Sequence, residues 1–362
     1  MYTNKEAIKV ASDLIRIRST KDNQKGREDV LAYVQKYFEG ECVHIRKYEK
    51  NGVGSLVITL KKEKHPYLFL NGHLDVVSAK EVDFKPKVEG DKLYGRGSGD
   101  MKGAVAVMMM LIKHLSRKKK KPSVGLMLTT DEEVGGRNGV GHLVNDKGYR
   151  AEFLIVPDGG KHLGQVVVNQ KGVVQIKITA HGKAAHGSQP HLGENAIEKL
   201  FIYYQAIQQL IPPMQKTEWK STLNLGKIEG GANVNAVPDR AEMCLDIRFT
   251  KQEEREKLLK KIREITDGNV EIISEGNPFS QSENHPLVKR YMAVASRYNK
   301  GTVKTTQEEG ASDARFFSEK NIPTVITTLV CGNIHGDGEW VSTSDMGTFY
   351  AIVSDFVEEL GI

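Results

Sequence analysis

Short apolar segments alternate with helical segments through the first part of the chain, and this alternation constrains the fold more than any other feature. Residues 56–60, 67–70, 124–129 and 153–156 are rich in apolar and β-branched side chains, which is typical of strands. Residues 101–115 form a longer apolar segment, with the length of a helix, between two of these strands. Because strands that alternate with helices form a sheet covered by helices, we predict an α/β fold with a mostly parallel sheet.

Residues 171–277 follow a different pattern, in which strands and helices occur in the order βαββαβ. The predicted elements are strands at 172–180, 222–228, 240–249 and 269–274 and helices at 195–210 and 252–265. This order is typical of a ferredoxin-like unit. The first pattern then resumes, with a strand at 323–329 and a helix at 345–360. We therefore predict a discontinuous domain of residues 1–170 and 278–362, into which a smaller domain of residues 171–277 is inserted.

The composition excludes several classes of protein. Hydrophobic residues make up 39% and charged residues 27% of the chain, which indicates a sizeable core and excludes a disordered protein. The longest apolar run, 104–112, is shorter than the ~20 residues that cross a membrane. The net charge of +6 is spread along the chain, and the basic run at 117–121 is short and has no interleaved aromatic residues. We therefore predict neither nucleic acid nor membrane as a partner.

The cysteines and the N-terminal segment indicate a reducing compartment. Cys42, Cys244 and Cys331 are odd in number and far apart, so we expect neither a disulfide framework nor a thiolate zinc site. The first ten residues carry Lys5 and Glu6 and lack the apolar region of a secretory signal. These features predict a cytoplasmic protein.

Side chains that can bind metal follow several of the predicted strands. They are His73 and Asp75, then Asp131, Glu132 and Glu133, then Asp158, and finally His335 and Asp337 after the strand at 323–329. Functional groups gather beyond the carboxyl ends of strands in an open parallel sheet, so we expect these side chains to lie close together. His73 and Asp75 point the same way in an extended segment, so the Asp75 carboxylate can orient one imidazole nitrogen while the other binds metal. A surface His-Asp pair is the alternative.

A glycine-rich turn at residues 94–103, YGRGSGDMKG, adds a further carboxylate, that of Asp100. The turn is not a dinucleotide-binding loop, because Asp100 stands where the GxGxxG motif requires its third glycine, and the GxxxxGK[ST] motif is also absent. The neighbouring glycines allow the close approach of a metal ion. Asp100 could equally cap the N-terminus of the following helix, and both roles can hold at once.

The candidate metal ligands are two imidazoles and three carboxylates, namely His73, Asp100, Glu133, Asp158 and His335. If Asp100 bridges two ions, each ion has one imidazole, one terminal carboxylate and a share of Asp100, with a position left for water, as in catalytic zinc sites. That water would lose a proton to Glu132 and attack a carbonyl group. Two exposed glutamates in a turn are the alternative interpretation of Glu132 and Glu133.

The chain resembles the acetylornithine deacetylase, succinyl-diaminopimelate desuccinylase, carboxypeptidase G and aminoacylase family of two-zinc metallopeptidases over nearly its whole length. The matching segments are NGHLDVV (71–77), YGRGSGDMKGAVA (94–106), TTDEEVGG (129–136), HGKAAHGSQP (181–190), NVNAVPDRAEMCLDIR (233–248) and EGASDARFF (309–317), together with His335. Each segment is weak alone, but the combination is specific. The resemblance implies a zinc-peptidase-like catalytic domain with an inserted lid and dimerisation domain, and hence a homodimer.

The resemblance also implies a role for each matching residue. For the metal centre it implies two divalent ions, zinc or else cobalt, with Asp100 as the bridge, the pair His73 and Asp158 on one ion, and the pair Glu133 and His335 on the other. The further roles that it implies are Asp75 as the residue that orients His73, Glu132 as the base, His186 as the donor to the oxyanion, Asn235 and Arg248 as substrate-binding residues, and Gly310 and Ser312 in a substrate loop.

The resemblance leaves the substrate class open. It implies a hydrolase of amino-acid metabolism that cleaves the amide bond of an N-acyl amino acid. Most deacylases and carboxypeptidases of the family carry glutamate where this chain has Asp158, and aspartate there is similar to the dipeptidases and tripeptidases. A dipeptidase or tripeptidase is therefore the alternative, and a catalytically inactive binding protein is a third. On a strand, Arg248 could also form only a surface salt bridge.

Overall fold

The computed structural model describes residues 2–215, 218–299 and 301–362, and its elements are numbered along the chain. The helices are α1 (Asn4–Arg16), α2 (Gln24–Tyr37), α3 (Gly103–Ser116), α4 (Val140–Asn145), α5 (Ala196–Leu210), α6 (Gln252–Ile265), α7 (Pro286–Ser296), α8 (Ala314–Ser318) and α9 (Thr343–Leu360). The strands are β1 (His44–Lys50), β2 (Val53–Thr59), β3 (Leu68–His73), β4 (Lys87–Glu89), β5 (Lys92–Tyr94), β6 (Val124–Thr129), β7 (Phe153–Val156), β8 (Gln165–Gln170), β9 (Gly172–His181), β10 (Ala185–His186), β11 (Thr222–Gly230), β12 (Ala236–Val237), β13 (Arg240–Phe249), β14 (Val270–Gly276), β15 (Phe279–Ser280), β16 (Lys304–Glu308), β17 (Thr324–Ile326), β18 (Cys331–Gly332) and β19 (Trp340–Ser342).

The chain divides into two units. The first consists of Met1–Asn169, Ser280–Glu308 and Ser312–Ile362, and the second of Gln170–Phe279 with Glu309–Ala311. The roles of lid and dimerisation surface for residues 171–277 stay predictions.

The first unit is built on a sheet in the order β1-β2-β6-β3-β7-β17-β8-β15, with β16 beside β8. The neighbours β6, β3, β7 and β17 are parallel, whereas β1 and β2 add an antiparallel edge. Every residue of β3, β6 and β7 is buried, because helices cover a parallel sheet on both faces. The predicted α/β fold with a largely parallel sheet is therefore confirmed.

Helix α3 lies in the core of this unit because it is apolar on nearly all sides. Twelve of its residues are buried, including Met108 and Leu111. Helix α1 is amphipathic instead and buries only one face, with Leu14 and Ile15 fully enclosed. Thr3 caps this helix by accepting a hydrogen bond from the backbone N–H of Glu6.

The second unit contains a four-stranded antiparallel sheet in the order β11-β13-β9-β14. Alternate residues of β9 are buried, among them Ile176 and Ile178, and they share one core with Leu200 of α5 and Ile262 of α6. This period of two is what a sheet with one covered face requires. The elements follow the predicted βαββαβ order.

The basic run at residues 117–121 lies directly after the end of α3. Arg117 pairs with Glu41, and Lys118 pairs with Glu358. The cysteines are all free thiols. Among the described residues, no helix combines the length and the apolarity that crossing a membrane requires.

Asp91, in the turn between β4 and β5, secures the N-terminus of α9. Its carboxylate accepts hydrogen bonds from the hydroxyls of Ser342, Thr343 and Ser344 and from the backbone N–H of Ser344, at 2.7–2.8 Å. Burial opposes ionisation, but these hydrogen bonds outweigh it and hold the pKa of Asp91 below its usual value.

Replacing Asp91 by asparagine should lower the free energy of unfolding by about 1 kcal/mol at pH 7, a small effect because the side chain is exposed and solvent screens its charge. A carboxylate with a lowered pKa stabilises the folded state above its unfolded-state pKa, and this contribution is lost as the pH falls through the folded-state pKa. Urea unfolding should therefore show a difference between wild type and D91N that shrinks below about pH 4. A difference that stays constant with pH would contradict this account.

Candidate metal centre

The carboxyl ends of β3, β6 and β7 lie side by side in the parallel part of the sheet. β3 ends at His73, which is paired in register with Thr129, the last residue of β6. On the other side of β3, β7 ends at Val156, two residues before Asp158. His73, Glu133 and Asp158 therefore start from neighbouring points on one edge of the sheet.

Asp100 lies between two imidazoles. It belongs to the turn before α3, and its Oδ1 is 2.9 Å from Nε2 of His73. Its Oδ2 is 3.0 Å from Nε2 of His335. Each carboxylate oxygen thus faces a different histidine, which is the arrangement that a bridging carboxylate needs.

The candidate ligands form two groups that share Asp100. One group is His73, Asp100 and Asp158, and the other is Asp100, Glu133 and His335. Within each group the nitrogen and oxygen atoms that could bind an ion lie within 4.8 Å of one another. The structure therefore brings together the five residues proposed as ligands, in the same pairs.

The group formed by Asp100, Glu133 and His335 contains a buried carboxylate oxygen that lacks a hydrogen-bond donor within the described part of the chain and could bind an ion. Among the described residues, Oε1 of Glu133 is buried and has no hydrogen-bond donor, although it lies 3.2 Å from Nε2 of His335. A buried carboxylate oxygen without a partner is unfavourable. Imidazole and carboxylate ligands without thiolates suit zinc and similar divalent ions. The residues present therefore fit a dinuclear centre.

Burial and neighbouring charged groups shift the pKa values of the side chains in the centre. Burial raises the pKa of Asp158 well above its usual value, and Asp100 beside it adds to the effect. Burial also raises the pKa of Glu132, together with the neighbouring Asp158. Burial alone would raise the pKa of Asp100, but the imidazoles of His335 and His73 lower it. Hydrogen bonding to Asp100 raises the pKa of His335 to about 10. Several carboxylates this close together favour the binding of a cation.

Asp75 lies beside His73 as predicted, but its backbone oxygen, rather than its carboxylate, is the atom nearest to the ring nitrogen. Nδ1 of His73 is 3.0 Å from the backbone oxygen of Asp75, whereas the nearer carboxylate oxygen is 3.6 Å away. The carboxylate instead accepts hydrogen bonds from the backbone N–H groups of Glu132 and Glu133, at 3.2 and 3.0 Å. Asp75 is thus a link between the segment that carries His73 and the segment that carries the two glutamates.

The segment that carries His335 also differs from the prediction. The strand expected at 323–329 ends earlier, as β17, and His335 lies in the loop between β18 and β19, which belong to a separate small sheet with β5 and β4. His335 has φ +63°, a left-handed conformation that is uncommon outside glycine. Asp337 is exposed and pairs with Lys80, away from the candidate ligands.

The second unit carries His186 and Asn235 next to each other. β10 pairs with β12, so that His186 lies opposite Ala236, and the N–H of Gly187 donates to the carbonyl of Asn235 at 2.7 Å. Nδ1 of His186 accepts a hydrogen bond from the backbone N–H of Ser188 at 3.2 Å. Nδ1 also lies 2.8 Å from Oγ of Ser188, and in the tautomer with its proton on Nε2 that second nitrogen is a donor.

The other substrate-binding candidates are spread over both units. Arg248, on β13 of the second unit, donates two hydrogen bonds to Asp246, so the salt bridge that was its alternative interpretation is present. Gly310 is exposed and belongs to the second unit, whereas Ser312 is buried and belongs to the first.

Three charged residues near the centre escaped the sequence analysis. Glu308 accepts a hydrogen bond from the N–H of Gly160, two residues after Asp158. Arg96 and Glu339 form a buried ion pair at 2.6 Å beside the turn of Asp100. Arg96 and Glu339 lie 243 positions apart in sequence, so no local spacing could have revealed the pair.

Comparison with known proteins identifies a family whose sequence model matches this chain. The sequence model of peptidase family M20/M25/M40 matches residues 69–359. The succinyl-diaminopimelate desuccinylase of Alkalilimnicola ehrlichii is 25% identical over 383 aligned positions, which cover 98% of this chain and 99% of that protein.

Solved structures share the fold. The aminopeptidase PepT of Bacillus cereus matches with a TM-score of 0.81 and 20% identity over 99% of both chains. A dinuclear metal binding peptidase of the M20 family from Bacillus subtilis matches with a TM-score of 0.69 and 14% identity, over 98% of this chain and 97% of that chain. These likenesses support the predicted zinc-peptidase-like architecture.

If the two groups hold one ion each, single substitutions should separate them. H335N should release one ion and retain the other, whereas D100N should weaken both, because Asp100 belongs to both groups. We expect the metal affinity to fall by more than the ~10–100-fold that is lost when a residue hydrogen-bonded to a ligand is removed. Metal content after dialysis against a weak chelator measures the stoichiometry.

The matched control is H142N, because His142 pairs with Asp146 and lies outside both groups. It should retain both ions. Equal metal content in wild type, H335N and D100N would rule out these residues as ligands.

Proposed function

The chain belongs to peptidase family M20/M25/M40 and is a metallohydrolase that acts on amide bonds, and we propose that it removes the acyl group from an N-acyl amino acid. The carrying observation is the pair of ligand groups that share Asp100, in a chain that aligns with a desuccinylase over nearly its whole length. The substrate is then a small molecule with an amide carbonyl and a free carboxylate.

The cofactor in this proposal is a pair of divalent ions, zinc first and cobalt as an alternative. The M20-family protein from Bacillus subtilis that shares the fold is a dinuclear metal binding peptidase. His73 and Asp158 would hold one ion, Glu133 and His335 would hold the other, and Asp100 would be shared by the two groups. Ions bound there would supply Lewis acidity for the amide carbonyl and lower the pKa of water.

Glu132 is the general base in this proposal. It accepts a proton from the attacking water and then delivers that proton to the nitrogen of the departing amine, while the water oxygen becomes part of the released carboxylate. Its backbone N–H is held by Asp75, which keeps the side chain beside the ligands. Burial raises the pKa of Glu132, in the direction that suits a base working near neutral pH.

Residues of the second unit bind the substrate in this proposal. His186 donates from Nε2 to the oxygen that becomes negative during the attack, as its bond from Ser188 allows. Arg248 binds the substrate carboxylate with the guanidinium nitrogen that Asp246 leaves available, and Asn235 lies beside His186. Gly310 and Ser312 contact the substrate from their loop. We also propose that this unit is a lid, and that two copies of the chain form a homodimer through it.

A dipeptidase or tripeptidase is the second candidate, and Asp158 favours it. Aspartate is shorter than the glutamate expected in a deacylase, and Glu308 is held against the same loop through Gly160. Burial and then the surrounding carboxylates, Glu308 among them, raise the pKa of Asp158. A free substrate amine would bring a positive charge to this negative region.

A substrate panel separates the two candidates. Zinc-loaded and cobalt-loaded enzyme should hydrolyse N-succinyl and N-acetyl amino acids with a higher kcat/KM than dipeptides and tripeptides, because the proposed substrate carries an acyl group without a free amine on the carbonyl side of the amide bond. Hydrolysis of free peptides alone would reverse the assignment. Turnover of neither class would favour a binding protein.

Replacing Glu132 by glutamine tests the base. E132Q should retain both ions and lose kcat by about 10²–10⁴, because it removes only the proton acceptor. Glu152 offers a matched control, since it is exposed and precedes β7 at the opposite end of the sheet. E152Q should keep full activity, and full activity in E132Q would refute the base assignment.

A further inference from the structure

We propose that the buried pair Arg96 and Glu339 is a positioning device that holds the segments of Asp100 and His335 at a fixed separation, and so sets the metal affinity of the centre. The inference rests on the dinuclear centre proposed above. It assigns a positioning role to two residues that the proposed function does not use.

Glu339 holds the turn of Asp100 through its carboxylate. Oε1 accepts hydrogen bonds from the backbone N–H groups of Gly99 and Asp100, at 2.9 and 3.1 Å. Oε2 accepts a hydrogen bond from Arg96 at 2.6 Å. Both oxygens are therefore used, and one of them is bound directly to the backbone of the proposed bridging residue.

Arg96 reaches from this carboxylate to the loop of His335. Its second terminal nitrogen donates to the carbonyl of Gly336 at 3.1 Å. Its own backbone N–H donates to the carbonyl of Asp83 at 2.8 Å, which fixes the base of the side chain. The two terminal nitrogens of the planar guanidinium have a fixed separation, so they set the distance between Glu339 and Gly336.

The two bridged segments need such support because neither is a regular strand or α-helix. His335 has φ +63°, a left-handed conformation that is unfavourable outside glycine and persists only when its surroundings hold it. The turn of Asp100 is tightly packed, since a Cβ on Gly99 would lie 2.9 Å from Cβ of Cys331. Asp100 can face both histidines only if these two segments keep their spacing.

Stability of the fold alone does not require a charged pair at this place. Arg96 is 3% and Glu339 is 2% exposed, so both have lost nearly all contact with water. A buried ion pair often contributes no more to stability than an apolar pair of the same volume. An apolar pair could not accept the N–H groups of Gly99 and Asp100 or donate to Gly336, so the polar contacts to the ligand-bearing segments distinguish this pair.

The test compares E339Q and R96K with wild type. E339Q keeps the size of the side chain but loses its charge, whereas R96K keeps a positive charge and cannot bridge Glu339 and Gly336 with a fixed fork. We expect zinc affinity, measured by competition with a chromophoric chelator, to fall ~10–100-fold in each variant. The visible absorption spectrum of the cobalt-loaded protein should change with it, because the ligands are displaced.

D91N is the matched control for destabilisation. Asp91 accepts hydrogen bonds in the same unit from Ser342, the last residue of β19, and from Thr343 and Ser344 at the start of α9, and none of these bonds involves the turn of Asp100 or the loop of His335 itself. D91N should lower the melting temperature of the metal-free protein while its zinc affinity and cobalt spectrum stay those of wild type. This pattern separates positioning from general stability.

Each result of these measurements supports or overturns the positioning role of Arg96 and Glu339. Wild-type zinc affinity and cobalt spectrum in E339Q and R96K would overturn the inference and leave the proposed centre intact. Failure of wild type to bind two ions would overturn the proposed centre and the inference with it. If E339Q does not fold, R96K supplies the same measurements. If neither variant folds while D91N does, the pair is a structural requirement and the positioning inference is wrong.

Discussion

The contact of one carboxylate with two imidazoles is the constraint on which the candidate site depends. Asp100 faces His73, 27 positions earlier, and His335, 235 positions later, at 2.9 and 3.0 Å. Three segments must therefore meet within a few ångströms. The parallel sheet fixes one of them, since His73 is the last residue of β3, and the other two are loops. Loops need side-chain contacts to hold them, and this explains the polar residues buried behind the ligands.

Electrostatics gives the same site its chemical character. The fold encloses Asp100, Glu132, Glu133 and Asp158 in one region, where burial raises the pKa of Glu132 and of Asp158. A protein interior does not favour several carboxylates together without cations or hydrogen-bond donors. Divalent ions bound at these residues would supply the positive charge that the carboxylates favour. The family to which the chain belongs is consistent with this chemistry.

Prediction from the sequence succeeded where a local period determines the structure. The segments at 252–265 and 240–249 have the bounds of α6 and β13. The strand at 323–329 was wrong in length, because β17 ends at Ile326. The helices α2 and α7 were not predicted at all. They are amphipathic and of moderate length, and their buried faces are recognisable only once the neighbouring elements are in place.

The sequence by itself determined the fold class and the candidate ligand set, because apolar periodicity and side-chain chemistry are written locally along the chain. Only the tertiary structure decided that the Asp75 carboxylate holds the glutamate segment and that Arg96 meets Glu339. Each of these contacts depends on distances between side chains, some of them from segments far apart in sequence. Such distances follow from the packing of the whole unit, and no spacing along the chain encodes them.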